Sequence, residues 1–239
     1  MRHLRLASCG STNDEAKRRL GEGLVPPFLV STAEQTAGRG REGRSWSHPK
    51  GNFAGSFALT PPQLLKDEPG LASLLSGLSV IEALQHFGAS EADLQVKWPN
   101  DVLLAERKVA GILAEMVSKS EEIAFVIGIG VNLVQPPREA RFPAAAVFSK
   151  DSAPDEAAFG DMLAEKLLQS MAFAQENGSA ALRSRFKARA WRIGQSIAIG
   201  SGQGAASGLF EDIDPHGRIL LRLADGSFRT ISAGDVSHG

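Results

Sequence analysis

EEIAFVIGIGVNL, residues 121–133, is the segment on which the fold turns. Its odd positions Ile123, Phe125, Ile127, Ile129 and Val131 are bulky. Its even positions Ala124, Gly128, Gly130 and Asn132 are small, with Val126 the exception. A period of two marks a β-strand with one face on a core. Glycine weakens a strand interior, so Gly128 and Gly130 on one face call for a close approach, either by a ligand or by a helix backbone.

Upstream, VLLA and KVAGILAEM read as a hairpin pair around the polar AERK turn. Before them, LQVKW puts Leu94, Val96 and Trp98 on one face and Gln95 and Lys97 on the other, and PND (99–101) marks a turn. This reading makes the strand that carries Lys97 a central one. NFAGSFAL alternates Phe53, Gly55, Phe57 and Leu59 with small residues, and FLVSTAEQ is a further short strand. Leu71, Leu74, Leu75, Leu78, Ile81 and Leu84 recur at helical spacing and predict an amphipathic helix, preceded by a polar loop over 61–69. Ser11, Thr12 and Glu15 have the spacing of a capping box at a helix start. PPREARFP (136–143) is a connection, and residues 155–190 read as helix with Leu163, Leu167 and Met171 on one stripe. Beyond Trp191, short strands alternate with glycine turns, as in a small β-barrel. The expected division is a main unit over 1–190 and a small C-terminal unit over 191–239.

The chain has 239 residues, 43% of them hydrophobic and 22% charged, with a formal net charge of −1. That balance gives no general attraction to nucleic acid or membrane, so anion binding has to be local. The single cysteine, Cys9, permits no internal disulfide, and the opening residues lack a signal-peptide core. Cytoplasmic location is the expectation. The five histidines are scattered, with no metal-ligand spacing.

TAGRGREGRSWSHPKG, residues 36–51, carries Arg39, Arg41, Arg44 and Lys50 against Glu42. Arginines spaced by glycines let guanidinium groups and backbone N–H groups converge on an anion, phosphate above all. A solvated charged loop and an Arg-Gly contact to nucleic acid are the alternatives. Lys97 favours the first reading, since a compact charge held on a strand suits an anionic ligand.

These stretches together resemble one family, the biotin–protein ligases (biotin–[acetyl-CoA-carboxylase] ligases). The matching pieces are STN (11–13), AEQTAGRGREGRSW (33–46), KWPND (97–101), KVAGILAE (108–115) and GIGVN (128–132), in the family's order. The resemblance implies an α+β fold, a mixed sheet related to class II aminoacyl-tRNA synthetases and lipoate ligases, followed by an SH3-like β-barrel. It implies that biotin and MgATP form biotinyl-5′-AMP, and that a lysine of a biotin carboxyl carrier protein then takes the biotinyl group. Lys97, Arg39 and Arg41 are the implied catalytic cations. Ser11, Thr12, Asn13, Gln35, Gly38, Gly40, Gly128 and Gly130 are the implied biotin-site residues, with Trp46 and Asn132 beside the adenylate. Asp101 or Glu115 assists Mg2+ in this reading. Ser11 leaves no room ahead of it for the helix-turn-helix of some family members, so no DNA binding is expected. Relatives are monomers or homodimers. A lipoate or octanoate ligase and a non-catalytic biotin-binding module are the rival readings.

Overall fold

The structure is a computed structural model that describes residues 1–119, 122–138, 142–200 and 205–238. Its elements are β1 (Arg2–Leu6), α1 (Thr12–Gly21), β2 (Phe28–Thr32), β3 (Phe53–Leu59), α2 (Gln63–Asp67), α3 (Leu71–His86), β4 (Leu94–Lys97), β5 (Asp101–Leu104), β6 (Arg107–Lys119), β7 (Glu122–Val131) and α4 (Glu156–Lys187). Five short strands follow: β8 (Ser196–Ile199), β9 (Ala206–Ile213), β10 (Ile219–Arg222), β11 (Phe228–Ile231) and β12 (Val236–His238). Of the connection expected over 136–143, residues 139–141 lie outside the described ones.

The first sheet has the order β1-β2-β3-β7-β6-β5-β4. β1 and β2 are parallel and the other pairs antiparallel, so the sheet is mixed. The alternation in β7 divides the molecule. Phe125, Ile127, Ile129 and Val131 enter the main core with α3 and α4. Val126, which broke the pattern, packs in a second cluster with Ala16 of α1, Phe28, Val30 and Ala58. Helices therefore cover both faces, and every residue of β3 is buried.

Several expectations are corrected. α3 is not amphipathic but buried nearly all round, because α4 covers the side turned away from the sheet. Its buried Ser76 and Ser79 hydroxyls donate to the Ala72 and Leu75 carbonyls, which satisfies groups that burial would otherwise penalise. The 61–69 loop contains the short helix α2. The capping box does not form: Ser11 is the N-cap without a side-chain cap bond, and Glu15 pairs with Arg18 and Arg19. The long helix is interrupted at Gly178 (φ 79°). β4 is not central. It ends the sheet, and its outer edge is capped by the chain around Ala190, through Val96 N–H to Arg189 O (2.8 Å) and Trp191 N–H to Val96 O (2.9 Å).

The second sheet is antiparallel in the order β11-β10-β9-β8-β12, a meander whose last strand returns beside its first, as in SH3-like barrels. Its interior Ile197, Phe210, Ile219 and Leu221 join the same hydrophobic cluster as the first sheet. The Trp98 indole N–H donates to Gly217 O at 2.9 Å, so the residue just after β4 is tied to the turn between β9 and β10.

Candidate active site

Cross-strand register builds a floor. Ala54 of β3 faces Gly130 of β7, Gly130 faces Gly111 of β6, Gly111 faces Asp101 of β5, and Asp101 faces Lys97 of β4. Directly opposed residues share a sheet face, so one row crosses the sheet from small residues to a charged pair. The Trp46 ring lies on the small end. A Cβ at Gly130 would stand 2.2 Å from Trp46 Cε2, and one at Gly111 2.8 Å from Cζ3. Both glycines therefore leave room for the Trp46 ring to lie on the strand backbone.

The next row, Ser56–Gly128–Leu113, lies under the start of α1. A Cβ at Gly128 would overlap Asn13 Oδ1 at 2.1 Å. The Ser56 hydroxyl lies 2.5 Å from Asn13 Oδ1 and 2.8 Å from Thr12 Oγ1. Asn13 Nδ2 donates to Glu115 Oε2 at 2.7 Å, and Lys17 Nζ donates to Glu115 Oε1 at 2.6 Å. Gln35 Oε1 accepts from the Thr12 backbone N–H (2.9 Å) and hydroxyl (3.1 Å). Burial pushes the Glu115 carboxyl up, but Lys17, Asn13 and Arg39 more than offset it, and its pKa lies below the ordinary value. The start of α1 is thus fixed by a chain of bonds running from Lys17 to Gln35.

Ser11, Thr12, Asn13, Gln35, Arg39, Gly40, Arg41, Trp46, Lys97, Gly128, Gly130 and Asn132 all line this one cavity. Gly38 does not. It sits behind the wall, where a Cβ would stand 2.4 Å from Trp46 O and 2.5 Å from Gln35 Nε2, so its contribution is to let two wall residues close up.

Lys97 is 7% exposed. Burial lowers its pKa below the ordinary value, Asp101 and Asp235 pull it back up, and Lys108 lowers it further. Its Nζ lies 4.0 Å from the centre of the Phe142 ring and 5.2 Å from that of Trp191. Arg39 is paired with Asp14. Arg41 Nη1 reaches Asn100 Oδ1 at 3.5 Å. Arg44 bridges Glu42 (2.7 Å) and Asp235 (2.8 Å), the latter from the turn before β12. The Asn132 amide donates to Lys108 O at 3.4 Å.

Lys108 is a cavity residue that the sequence reading missed. Strict alternation puts it on the face opposite Gly111. A register shift between Val102 and Leu103 pairs Leu103 with Lys108 and Val102 with Ala110, leaving Val109 as an extra residue in the core. Such a bulge re-aims a side chain, and Lys108 enters the cavity with its Nζ 2.6 Å from Asp101 Oδ1 and 5.5 Å from the Trp46 ring centre. Nothing in KVAGILAE signals the bulge. Ser56 was missed because a small residue on an alternating strand reads as filler.

A second polar relay lies elsewhere. His3 joins Asp161 (2.8 Å) and Ser31 (2.7 Å). Ser31 is buried and outside the cavity wall, so this is a strut between β1, β2 and α4. Among the described residues no group of three or more His, Cys, Asp or Glu side chains is placed to hold a metal.

The biotin/lipoate A/B protein ligase family pattern matches residues 7–132, which span this whole floor and loop. The chain belongs to that family. The pattern of the biotin protein ligase C terminal domain matches residues 193–239. A biotin–[acetyl-CoA-carboxylase] ligase of Paracoccus denitrificans is 38% identical, covering 98% of this chain and 99% of its own. Its counterpart in Mycobacterium tuberculosis (strain ATCC 25618 / H37Rv) is 33% identical, covering 98% and 87%. The structure of a biotin protein ligase from Aquifex aeolicus in complex with biotin and ATP superposes with a TM-score of 0.81 at 26% identity, covering 99% of this chain and 97% of that one. Within the family, then, this chain contributes a glycine-floored cavity with two lysines at one end.

Proposed function

We propose that the protein is a biotin–[acetyl-CoA-carboxylase] ligase, which forms biotinyl-5′-AMP from biotin and ATP and passes the biotinyl group to a lysine of a biotin carboxyl carrier protein. The observation that carries this reading is one cavity with two chemistries. Hydroxyls and amides (Ser11, Thr12, Asn13, Gln35) stand at one side, and Lys97 and Lys108 at the other. A ureido ring has two donors and one acceptor, which short hydroxyl and amide groups match. An acid group and a nucleotide phosphate need cations.

In the first step a biotin carboxylate oxygen bonds to the α-phosphorus, and the bond to the bridging oxygen of pyrophosphate breaks. Two anions must meet for this. Lys97 and Lys108, fixed on the sheet, offset their repulsion and the charge that builds up. Arg39 and Arg41 add donors from the loop. In the second step the carrier's lysine amine attacks the acyl carbon, an amide forms, AMP leaves, and the amine's proton is lost. The adenylate is a reactive mixed anhydride. Trp46 over the floor and the loop above it keep water from it, with Asn132 and Trp46 beside the nucleotide. Magnesium, a hard cation, would arrive on the phosphates and screen their charge. Asp101 is the floor carboxylate that can offer it an oxygen, whereas both oxygens of Glu115 are committed to Asn13 and Lys17.

The same reading divides the chain at about 190, into a catalytic unit and a C-terminal unit that supplies Asp235. It has the enzyme cytoplasmic, without DNA binding, as a monomer or homodimer. The deciding experiment is mass spectrometry of a carrier domain incubated with the protein, MgATP and either biotin or lipoate. Biotinylation is the expected product. Lipoylation alone would make it the other ligase, and an unmodified carrier with either acid, together with no acid-dependent pyrophosphate exchange in a parallel assay, would leave a binding module.

A further inference from the structure

Asn52 lies just before β3, is 2% exposed, and is not part of the cavity wall. Both ends of its amide are nevertheless bonded to one other stretch of chain. Nδ2 donates to Gln135 O at 2.8 Å, and Oδ1 accepts from Val134 N–H (3.0 Å) and Gln135 N–H (3.3 Å). The contact is reciprocal, since Gln135 Nε2 donates to Lys50 O at 2.7 Å. His48 Nε2 bonds the Asn52 carbonyl at 2.8 Å. Gly51, at φ 85°, presses on Val134, where a Cβ would stand 2.8 Å from Cγ2.

These bonds join the roots of two cavity walls. Residues 48–52 end the basic loop, which lines the cavity with Arg39, Arg41 and Trp46. Residues 134–135 begin the stretch that brings Pro137, Phe142 and Ala144 to the wall, with the Phe142 ring over Lys97. A planar amide, with N–H donors beside a carbonyl acceptor, can bond both N–H groups and the carbonyl of the opposite root at once. A buried residue bonded in this way transmits position, because its alternatives leave polar groups unpaired.

We propose that Asn52 is a positioning residue that couples the two walls, so that seating biotin under the 36–51 loop also sets the 134–138 stretch for the nucleotide. The inference rests on the biotin reading above and adds the route by which the first substrate prepares the site for the second.

Amide hydrogen exchange on the full chain tests it, with biotin as the only ligand. In the wild type, biotin slows exchange at both 36–51 and 133–138. In Asn52→Ala it slows exchange at 36–51 alone, and the Kd for ATP of the biotin complex rises about tenfold, a typical coupling between sites, while the Kd for biotin in the absence of ATP stays within about threefold. Asn52→Asp keeps the two accepted bonds and falls between them. Exchange in α3 and β7 reports whether each variant is folded. Protection of both stretches in Asn52→Ala, or of neither in that variant, overturns the coupling, as does protection of 36–51 alone in the wild type. No protection anywhere in the wild type overturns the biotin reading itself.

Discussion

The floor of the cavity and the loop above it are built by opposite means. The floor is register. Ala54, Gly130, Gly111, Asp101 and Lys97 are held in one row by five strands, and Asn13 is fixed by a buried bond to Ser56 and a part-buried one to Glu115. The loop is charge. Arg39–Asp14 and Arg44–Asp235 are ion pairs whose members are between about a third and three-fifths exposed. Pairs of that exposure contribute about 0–1 kcal/mol each. Preorganisation is thus concentrated in the floor, where the proposed reaction would build up charge, and the cover is held only by weak, exposed ion pairs.

The comparison breaks most sharply at Lys97. Lys97→Met should lower biotin-dependent pyrophosphate exchange by about 10²–10³, the typical effect of losing one preorganised charge contact, and should raise thermal stability. The sign follows from burial, which holds the pKa of Lys97 below the ordinary lysine value. The unfolded chain then keeps its proton to higher pH than the folded one, so the cost of burying the ammonium is full at neutral pH. It is relieved as pH climbs from the lowered value toward the ordinary one. The wild-type and Lys97→Met melting curves should therefore converge in the alkaline range. Parallel curves would remove burial as the cause.

The same substitution made in both regions sharpens the contrast. Gly130→Ala puts a Cβ into the Trp46 ring and should cost about 1–3 kcal/mol, as overpacking does, with a red shift of Trp46 emission as the ring leaves. Gly40→Ala meets nothing closer than Arg44 O at 3.6 Å, on a backbone with φ −106°. Its stability cost should stay within about 0.5 kcal/mol, with adenylate retention reduced more than biotin affinity. Equal destabilisation by the two would erase the distinction between floor and loop.

Glu115→Gln tests the floor's supporting bonds. The KM for biotin should rise by about three- to tenfold, the effect of a lost charged hydrogen bond, with kcat within about twofold. The lowered pKa of Glu115 means that the wild type holds this stabilisation above the ordinary carboxylate range and loses it as pH falls through the folded value. A glutamine variant with the wild-type acid profile would argue against it. The smallest effect belongs to the cover. Asp14→Asn removes the partner of Arg39 and should change stability by less than about 0.5 kcal/mol, visible only as a loss of salt dependence in proteolysis of the 36–51 loop.

Much of this molecule is written in short-range pattern. The alternation of residues 123–131 gave the strand and its two faces, the hairpin around Ala105 and Glu106 was visible although both adopt positive φ without glycine, and the spaced arginines marked the loop. Those signals survive because they depend on the spacing of side chains along one segment. The edge position of β4, the burial of α3 on both sides, the bulge that turns Lys108 inward, the Ser56–Asn13–Glu115 bonds and the arrival of Asp235 from the last turn depend on which distant segments lie alongside. Register and helix packing are set between segments, by the whole core closing at once, and a linear pattern carries no record of them.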